Sequence, residues 1–144
     1  METTVGRVTT KIRVENGADR VTAVSRPGAA VRVVEIEDAL VDTGATLLCL
    51  PRRSVETLGL VRHDRRRVLT ANGVVDRDVY GGAFLTLDGR SCTIDVMEVP
   101  DDVPALVGNL ALENLDLVVD PKSQRLIANP AHGGKFTMDL FSAG

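Results

Sequence analysis

The sequence predicts an all-β, barrel-like domain with one or two short helices. Short segments rich in β-branched residues recur along the chain, Gly-containing turns separate them, and only two stretches carry helix signals. The chain has 144 residues, 44% of them apolar, which is enough for one domain with a hydrophobic core. With three Phe, one Tyr and no Trp, that core must be aliphatic. We place a single domain over residues 1–130 and a C-terminal tail over 131–144.

Two strands are predicted at the start of the chain. Residues 7–14 (RVTTKIRV) and 31–36 (VRVVEI) are rich in β-branched residues, and the segments NGADR and RPGAA between them are typical of turns.

Two further strands flank an Asp-Thr-Gly turn. Residues 37–41 lead into this turn and residues 46–50 leave it. Pro51 and Gly59 then suit the start and the stop of a short helix, which we predict over 52–58.

The second half of the chain predicts three hairpins and a second helix. Strand arms at 67–71 and 74–80 surround Asn72-Gly73, a strong hairpin signal, and the next hairpin turns at Asp88-Gly89. The third hairpin is predicted over the segment LVVD-PKSQ-RLIA, in which PKSQ is the turn. Before it, apolar residues are spaced as in a helix, at positions 106, 107, 110, 112 and 115.

Composition argues against several function classes. The net charge of −3 gives no general attraction to nucleic acid or to anionic membranes, so neither is expected as a partner. The N-terminal segment lacks the apolar stretch of a signal peptide, and no run approaches the ~18 residues that span a bilayer, so we expect a cytoplasmic protein.

The two cysteines and two histidines give little indication of function. Cys49 and Cys92 are interpreted as inert thiols, with a disulfide or a reactive role as the alternative. His63 and His132 lack ligand-like spacing, so we expect no metal, and no cofactor is implied. Serine-hydrolase and zincin motifs are missing from the sequence.

The segment ALVDTGATLLCLP, residues 39–51, places one carboxylate between apolar flanks. Burying a carboxylate is costly, so something should offset that cost. Asp42 therefore either caps a local turn or is one of two groups that together form a chemical site, the second of which lies elsewhere.

The surroundings of Asp42 favour the second interpretation. An apolar strand precedes Asp-Thr-Gly-Ala and another follows it; a glycine-tipped hairpin comes about 30 residues later, and Val107-Gly108 then enters a helix. This order resembles the retroviral-like (retropepsin-type) aspartic peptidases, particularly their single-domain cellular and bacterial relatives, over residues 30–128. The resemblance implies a closed acid-protease barrel with one lobe per chain.

The resemblance also implies an activity, that of an aspartic endopeptidase. Such enzymes hold two carboxylates about 3 Å apart that share one proton. This chain has a single Asp-Thr-Gly motif and about half the length of a two-lobed enzyme. The expected enzyme is therefore a homodimer in which each chain gives Asp42 to the dyad, acting on extended peptide or protein substrates.

Residue roles follow from the same resemblance. Asp42, Thr43 and Gly44 are the expected catalytic turn. Val107 and Gly108 are expected to support it from behind. The expected substrate-binding residues lie beside the turn and on a hairpin that closes as a flap: Ala45, Thr46, Thr70, Ala71, Asn72 and Gly73. Two positions depart from the family pattern, because Thr46 and Leu110 stand where many relatives have Asp.

Plainer interpretations stay open beside these. Asn72-Gly73 could be an ordinary surface hairpin, and the dimer could be a non-catalytic peptide-binding module on the same fold. The basic run RHDRRR (62–67) is interpreted as a solvated edge, with a patch for an acidic partner as the alternative.

Overall fold

The computed structural model describes residues 7–141, and the structure is mostly β. The strands are β1 Val8–Asn16, β2 Val33–Val41, β3 Leu48–Pro51, β4 Val61–Thr70, β5 Gly73–Leu87, β6 Arg90–Val99, β7 Leu106–Val107, β8 Leu117–Asp120 and β9 Arg125–Ala128. The helices are α1 Gly17–Ser25, α2 Arg52–Leu58 and α3 Asn109–Leu115, followed by a 3-10 turn at Pro130–His132.

Six of the strands form a closed ring. The main sheet has the order β1-β2-β7-β3-β6-β5-β4, and β1 also pairs with β5, which joins the two sides of the sheet. Most neighbours are antiparallel, but β2 runs parallel to β7 and β3 parallel to β6. Strands β8 and β9 make a separate hairpin. The predicted all-β class is confirmed.

The core is aliphatic, as the composition requires. Leucine, isoleucine and valine side chains with less than 2% exposure fill the inside of the ring, among them Ile12, Leu48, Leu50, Leu85 and Val96. Helices α2 and α3 cover this core with their apolar faces.

Strand β5 belongs to two parts of the molecule. From Gly73 to Gly81 it pairs with β4, and from Val79 onward it pairs with β6, with a bulge between Tyr80 and Ala83. Beyond that bulge it also pairs with β1 inside the ring. A Cβ at Gly81 would lie 2.8 Å from the His63 ring and 3.0 Å from Asp95 Oδ1, so glycine leaves room for these two side chains at the bulge. The β4–β5 hairpin therefore projects from the ring, with β4 as its exposed edge.

The hairpin and helix predictions were largely correct. Helix 52–58 has the bounds predicted for it and ends at Gly59 in the left-handed conformation, with φ 63°. The turn at Asp88-Gly89 and the hairpin over 117–128 are also confirmed. The run 62–67 lies on the exposed edge strand, in agreement with a solvated edge.

Three predictions on local structure were wrong. Residues 17–25, predicted as part of a turn region, form helix α1, because the side chain of Asn16 accepts a hydrogen bond from the Asp19 N–H at 2.9 Å and caps it. The described residues thus hold three α-helices rather than two. Residues 31–36 and 37–41 are not two strands, since 33–41 is one continuous strand.

The third correction concerns the β4–β5 turn. Thr70 pairs with Gly73, so the turn residues are Ala71 and Asn72, one position before the predicted Asn72-Gly73. The Thr70 hydroxyl accepts from the Asn72 N–H at 3.1 Å and donates to the Gly73 carbonyl at 2.8 Å. These two bonds fix the turn at Ala71-Asn72, one position earlier than predicted.

The C-terminal tail contacts the domain as far as the structure describes it. The Thr137 N–H donates to Asp116 Oδ2 at 3.0 Å, and Arg90 donates to the Gly134 carbonyl at 2.8 Å. Residues 1–6 of the predicted domain and 142–144 of the predicted tail lie outside the described residues. Within 7–141, every helix is too short or too polar to span a bilayer.

Candidate active site

Asp42 lies at the end of β2, where the chain makes a tight turn. Its backbone N–H donates to the Val107 carbonyl at 3.0 Å, which holds the end of β2 against β7. The Gly44 N–H donates to Asp42 Oδ1 at 2.9 Å, and the Ala45 N–H donates to the Asp42 carbonyl at 3.1 Å. The carboxylate is therefore oriented by its own loop.

The loop is also held from behind by the start of α3. The N–H groups of Gly108, Asn109 and Leu110 donate to the carbonyls of Leu47, Ala45 and Thr46 at 3.1, 2.7 and 3.0 Å. A Cβ on Gly108 would lie 2.4 Å from the Leu47 carbonyl oxygen and 2.8 Å from that of Ala45. Only glycine fits there without moving the backbone.

Asp42 borders a cleft of about 870 Å³. One wall is the turn after β2, the opposite wall is the β4–β5 hairpin, and the remaining sides come from β6, β7 and the segment between them. Apolar side chains make up much of the lining: Leu47, Val68, Leu69, Met97, Val99, Val103, Leu106 and Leu110. The half-buried carboxylate thus faces a mainly apolar groove, while Thr43 and Gly44 remain exposed.

The structure brings some of the predicted substrate-binding residues together and leaves others apart. Ala45, Thr46 and Thr70 border the cleft beside Asp42. Ala71, Asn72 and Gly73 lie at the exposed tip of the hairpin and do not line the cleft in this chain. Gly73 has a φ of 114°, which a residue with a side chain adopts only with strain.

Cys49 lies in the cleft wall close to Asp42. It is 6% exposed, and burial, with the nearby Asp42 carboxylate, raises the pKa of its thiol to about 11. Burial also raises the pKa of Cys92. Both thiols therefore stay protonated at neutral pH, which agrees with the interpretation of them as inert.

The sequence did not single out several residues of the cleft. Arg66, Arg67 and Arg77 border it from the hairpin, and Asp95 borders it from β6. Arg66 and Arg67 were noted only as members of a solvated basic run. The register between β4 and β5 makes Arg66 and Arg77 neighbours, and that register is visible only in the structure.

The ring of strands with an Asp-Thr-Gly turn at its edge is the architecture of an aspartic protease lobe. A family model described as aspartyl protease matches residues 28–131, and the chain belongs to this family, which is of the retropepsin-like kind. A search of curated proteins returned no match.

Proposed function

We propose that the protein is a homodimeric aspartic endopeptidase in which two copies of Asp42 form the catalytic dyad. The observation that carries this proposal is the position of Asp42, which is oriented by the Gly44 N–H at 2.9 Å and borders an apolar cleft. Membership of the aspartyl protease family supports the same chemistry.

The need for a second chain follows from counting carboxylates. The mechanism requires two carboxylates that share a proton, and the sequence has one Asp-Thr-Gly motif. The exposure of Thr43 and Gly44 leaves this turn accessible to a second copy. The Thr43 hydroxyl has no hydrogen bond within residues 7–141 and would bond to the partner's loop across the two-fold axis.

In the proposed reaction, the ionised member of the dyad removes a proton from a water molecule. The water oxygen attacks the peptide carbonyl carbon, while the protonated carboxyl donates its hydrogen to the carbonyl oxygen. As the C–N bond of the resulting tetrahedral intermediate breaks, the carboxyl that took the water proton gives it to the leaving nitrogen, and the other carboxylate takes a hydroxyl proton from the intermediate. The products are a carboxylic acid and an amine, and the dyad again holds one proton.

The cleft supplies what an extended substrate needs. Its apolar lining suits apolar side chains near the scissile bond. The β4–β5 hairpin borders the cleft, which supports the proposal that it closes over the peptide as a flap. Thr46 and Thr70 border the same groove, but the Thr70 hydroxyl already donates its hydrogen to the Gly73 carbonyl, so Thr46 is the better placed of the two to donate to a peptide.

The proposal is tested by incubating the protein with a mixed peptide library between about pH 4 and pH 7 and identifying new termini by mass spectrometry. Asp42→Asn keeps the shape of the side chain but removes its charge, so it should abolish cleavage. Asp38→Asn is the matched control, because Asp38 is exposed on the same strand and lies away from the cleft. This control should cleave like the wild type.

Cleavage that persists in Asp42→Asn would refute the catalytic assignment. Peptide binding without cleavage by the wild type would instead favour the alternative, a non-catalytic peptide-binding module on this fold.

A further inference from the structure

The β4–β5 hairpin has two faces with different charge patterns. The cross-strand partners Arg65–Asp78 and Arg67–Asp76 are of opposite charge and share one face of the hairpin, here called the outer face, although Arg67 also borders the cleft. Arg65 Nη1 is 2.9 Å from Asp78 Oδ1. Opposite charges in directly paired positions stabilise a hairpin, so the charges of the outer face are favourably arranged, although within residues 7–141 only Arg65–Asp78 of these two pairs lies within 4.0 Å.

The inner face carries the reverse arrangement. Arg66 is paired directly with Arg77, and next to them Val68 is paired with Val75. This face is the inner one because it continues into Val79, which is 1% exposed. Two like charges in directly opposite positions destabilise a hairpin, so a plain structural role does not account for this pair.

Intramolecular partners relieve this repulsion only in part. Arg66 contacts Asp64 two residues earlier on its own strand, at 2.6 Å. Arg77 is half-buried, borders the cleft and has no carboxylate within 4.0 Å among residues 7–141. Among residues 7–141, Asp95 is the one aspartate besides Asp42 that borders the cleft, and it contacts His63 at 3.2 Å.

We propose that Arg77, with Arg66 beside it, forms a subsite that selects an acidic side chain in the peptide substrate. This inference rests on the proposed function and gives its substrate class: an extended peptide that is apolar near the scissile bond and carries Asp or Glu where it passes under the base of the hairpin. Two guanidinium groups are suited to a carboxylate because they offer several parallel N–H donors. A bound carboxylate would also remove the like-charge repulsion between Arg66 and Arg77.

The test compares matched peptides that differ only in Glu or Gln at one position, with that position moved along an otherwise apolar sequence. Cleavage efficiency, kcat/KM, is measured for the wild-type protein, and fluorescence polarisation measures binding of the same labelled peptides to Asp42→Asn. At one position, Glu should be favoured over Gln by about three- to tenfold.

Two variants of Arg77 and one control locate the effect. Arg77→Gln should remove the preference for Glu, and Arg77→Glu should reverse it in favour of a Lys peptide. Arg65→Gln is the control, because Arg65 is next to Arg66 in the chain but its side chain lies on the outer face. This variant should keep the wild-type preference for Glu. If the charge reversal fails to fold, Arg77→Gln alone decides the question, because it introduces no new repulsion with Arg66.

The inference is overturned if no position distinguishes Glu from Gln, or if the preference survives in Arg77→Gln. The binding assay separates this failure from failure of the proposed function. Selective binding of Glu peptides without any cleavage would support the subsite and refute the peptidase, whereas cleavage without selectivity would do the opposite. Absence of binding to every peptide would also overturn the subsite.

Discussion

Replacement of Gly108 by alanine tests how rigidly the Asp42 loop must be held. The φ of Gly108 is −86° and its ψ is 178°, a conformation that any residue adopts, so the cost of a side chain is steric and not conformational. The new methyl group would lie 2.4 Å from the Leu47 carbonyl oxygen, 2.7 Å from the Thr46 carbonyl carbon and 2.8 Å from the Ala45 carbonyl oxygen. All three atoms are backbone and cannot rotate away.

The expected loss of stability is larger than that of a typical substitution. Overpacking alone costs about 1–3 kcal/mol, and displacement of the loop weakens the three hydrogen bonds that join it to α3. We expect Gly108→Ala to lower the free energy of unfolding by about 2–4 kcal/mol. Peptide cleavage should fall further than the folded fraction does, because the loop that shifts carries Asp42.

Urea unfolding and kcat/KM, measured where both proteins are folded, check this expectation. Gly82→Ala is the matched control, since its methyl group would meet only Thr93 Cγ2, at 3.5 Å, which is ordinary contact. The control should change stability by less than about 1 kcal/mol. A Gly108→Ala protein with wild-type stability and activity would show that the loop does not depend on this close approach.

Two further predictions concern titratable groups. Because the pKa of Cys49 is raised to about 11, its alkylation by iodoacetamide in the folded protein at neutral pH should be much slower than after unfolding, and equal rates by mass spectrometry would contradict the described burial. The second concerns His132 and Asp116, whose Nδ1 and Oδ2 are 2.8 Å apart beside the tail. The hydrogen bond to Asp116 raises the pKa of His132 above 6.5. The stability that protonated His132 adds to the folded state is therefore fully present below pH 6.5 and is lost as the pH rises through the raised pKa. The hydrogen bond to His132 lowers the pKa of Asp116 below 3.8. The stability that ionised Asp116 adds to the folded state is therefore fully present above pH 3.8 and is lost as the pH falls through the lowered pKa. Urea unfolding of His132→Gln should therefore show its largest loss of stability near pH 5 and little loss near pH 9, and a loss independent of pH would contradict the pairing.

The features of the site that could be predicted from the sequence are short motifs. Asp42, Gly44 and Gly108 belong to short motifs whose geometry depends on neighbouring residues, and the structure places these motifs against one another. Helix α1 was missed for a physical reason. It has no buried residue, so no apolar stripe marks it, and the capping role of Asn16 looked like turn chemistry.

The inner face of the β4–β5 hairpin could not be predicted in the same way. A bulge between Arg62 and Asp64 shifts the pairing register of the strands. A shift of one residue exchanges the two faces of a strand, so the side on which Arg66 lies depends on a feature without a sequence signal. The shift of the turn to Ala71-Asn72 likewise depends on the Thr70 hydroxyl, whose two hydrogen bonds outweighed the Asn-Gly turn signal.

The dyad shared between two chains is tested most directly by mixing subunits. Wild-type and Asp42→Asn chains are unfolded together and refolded in varying proportions, and peptide cleavage is measured at constant total protein. If each active unit needs Asp42 from both chains, activity follows the square of the wild-type fraction and is about one quarter at equal proportions. Activity that falls only to about one half, in direct proportion to the wild-type chain, would mean that each chain is competent alone.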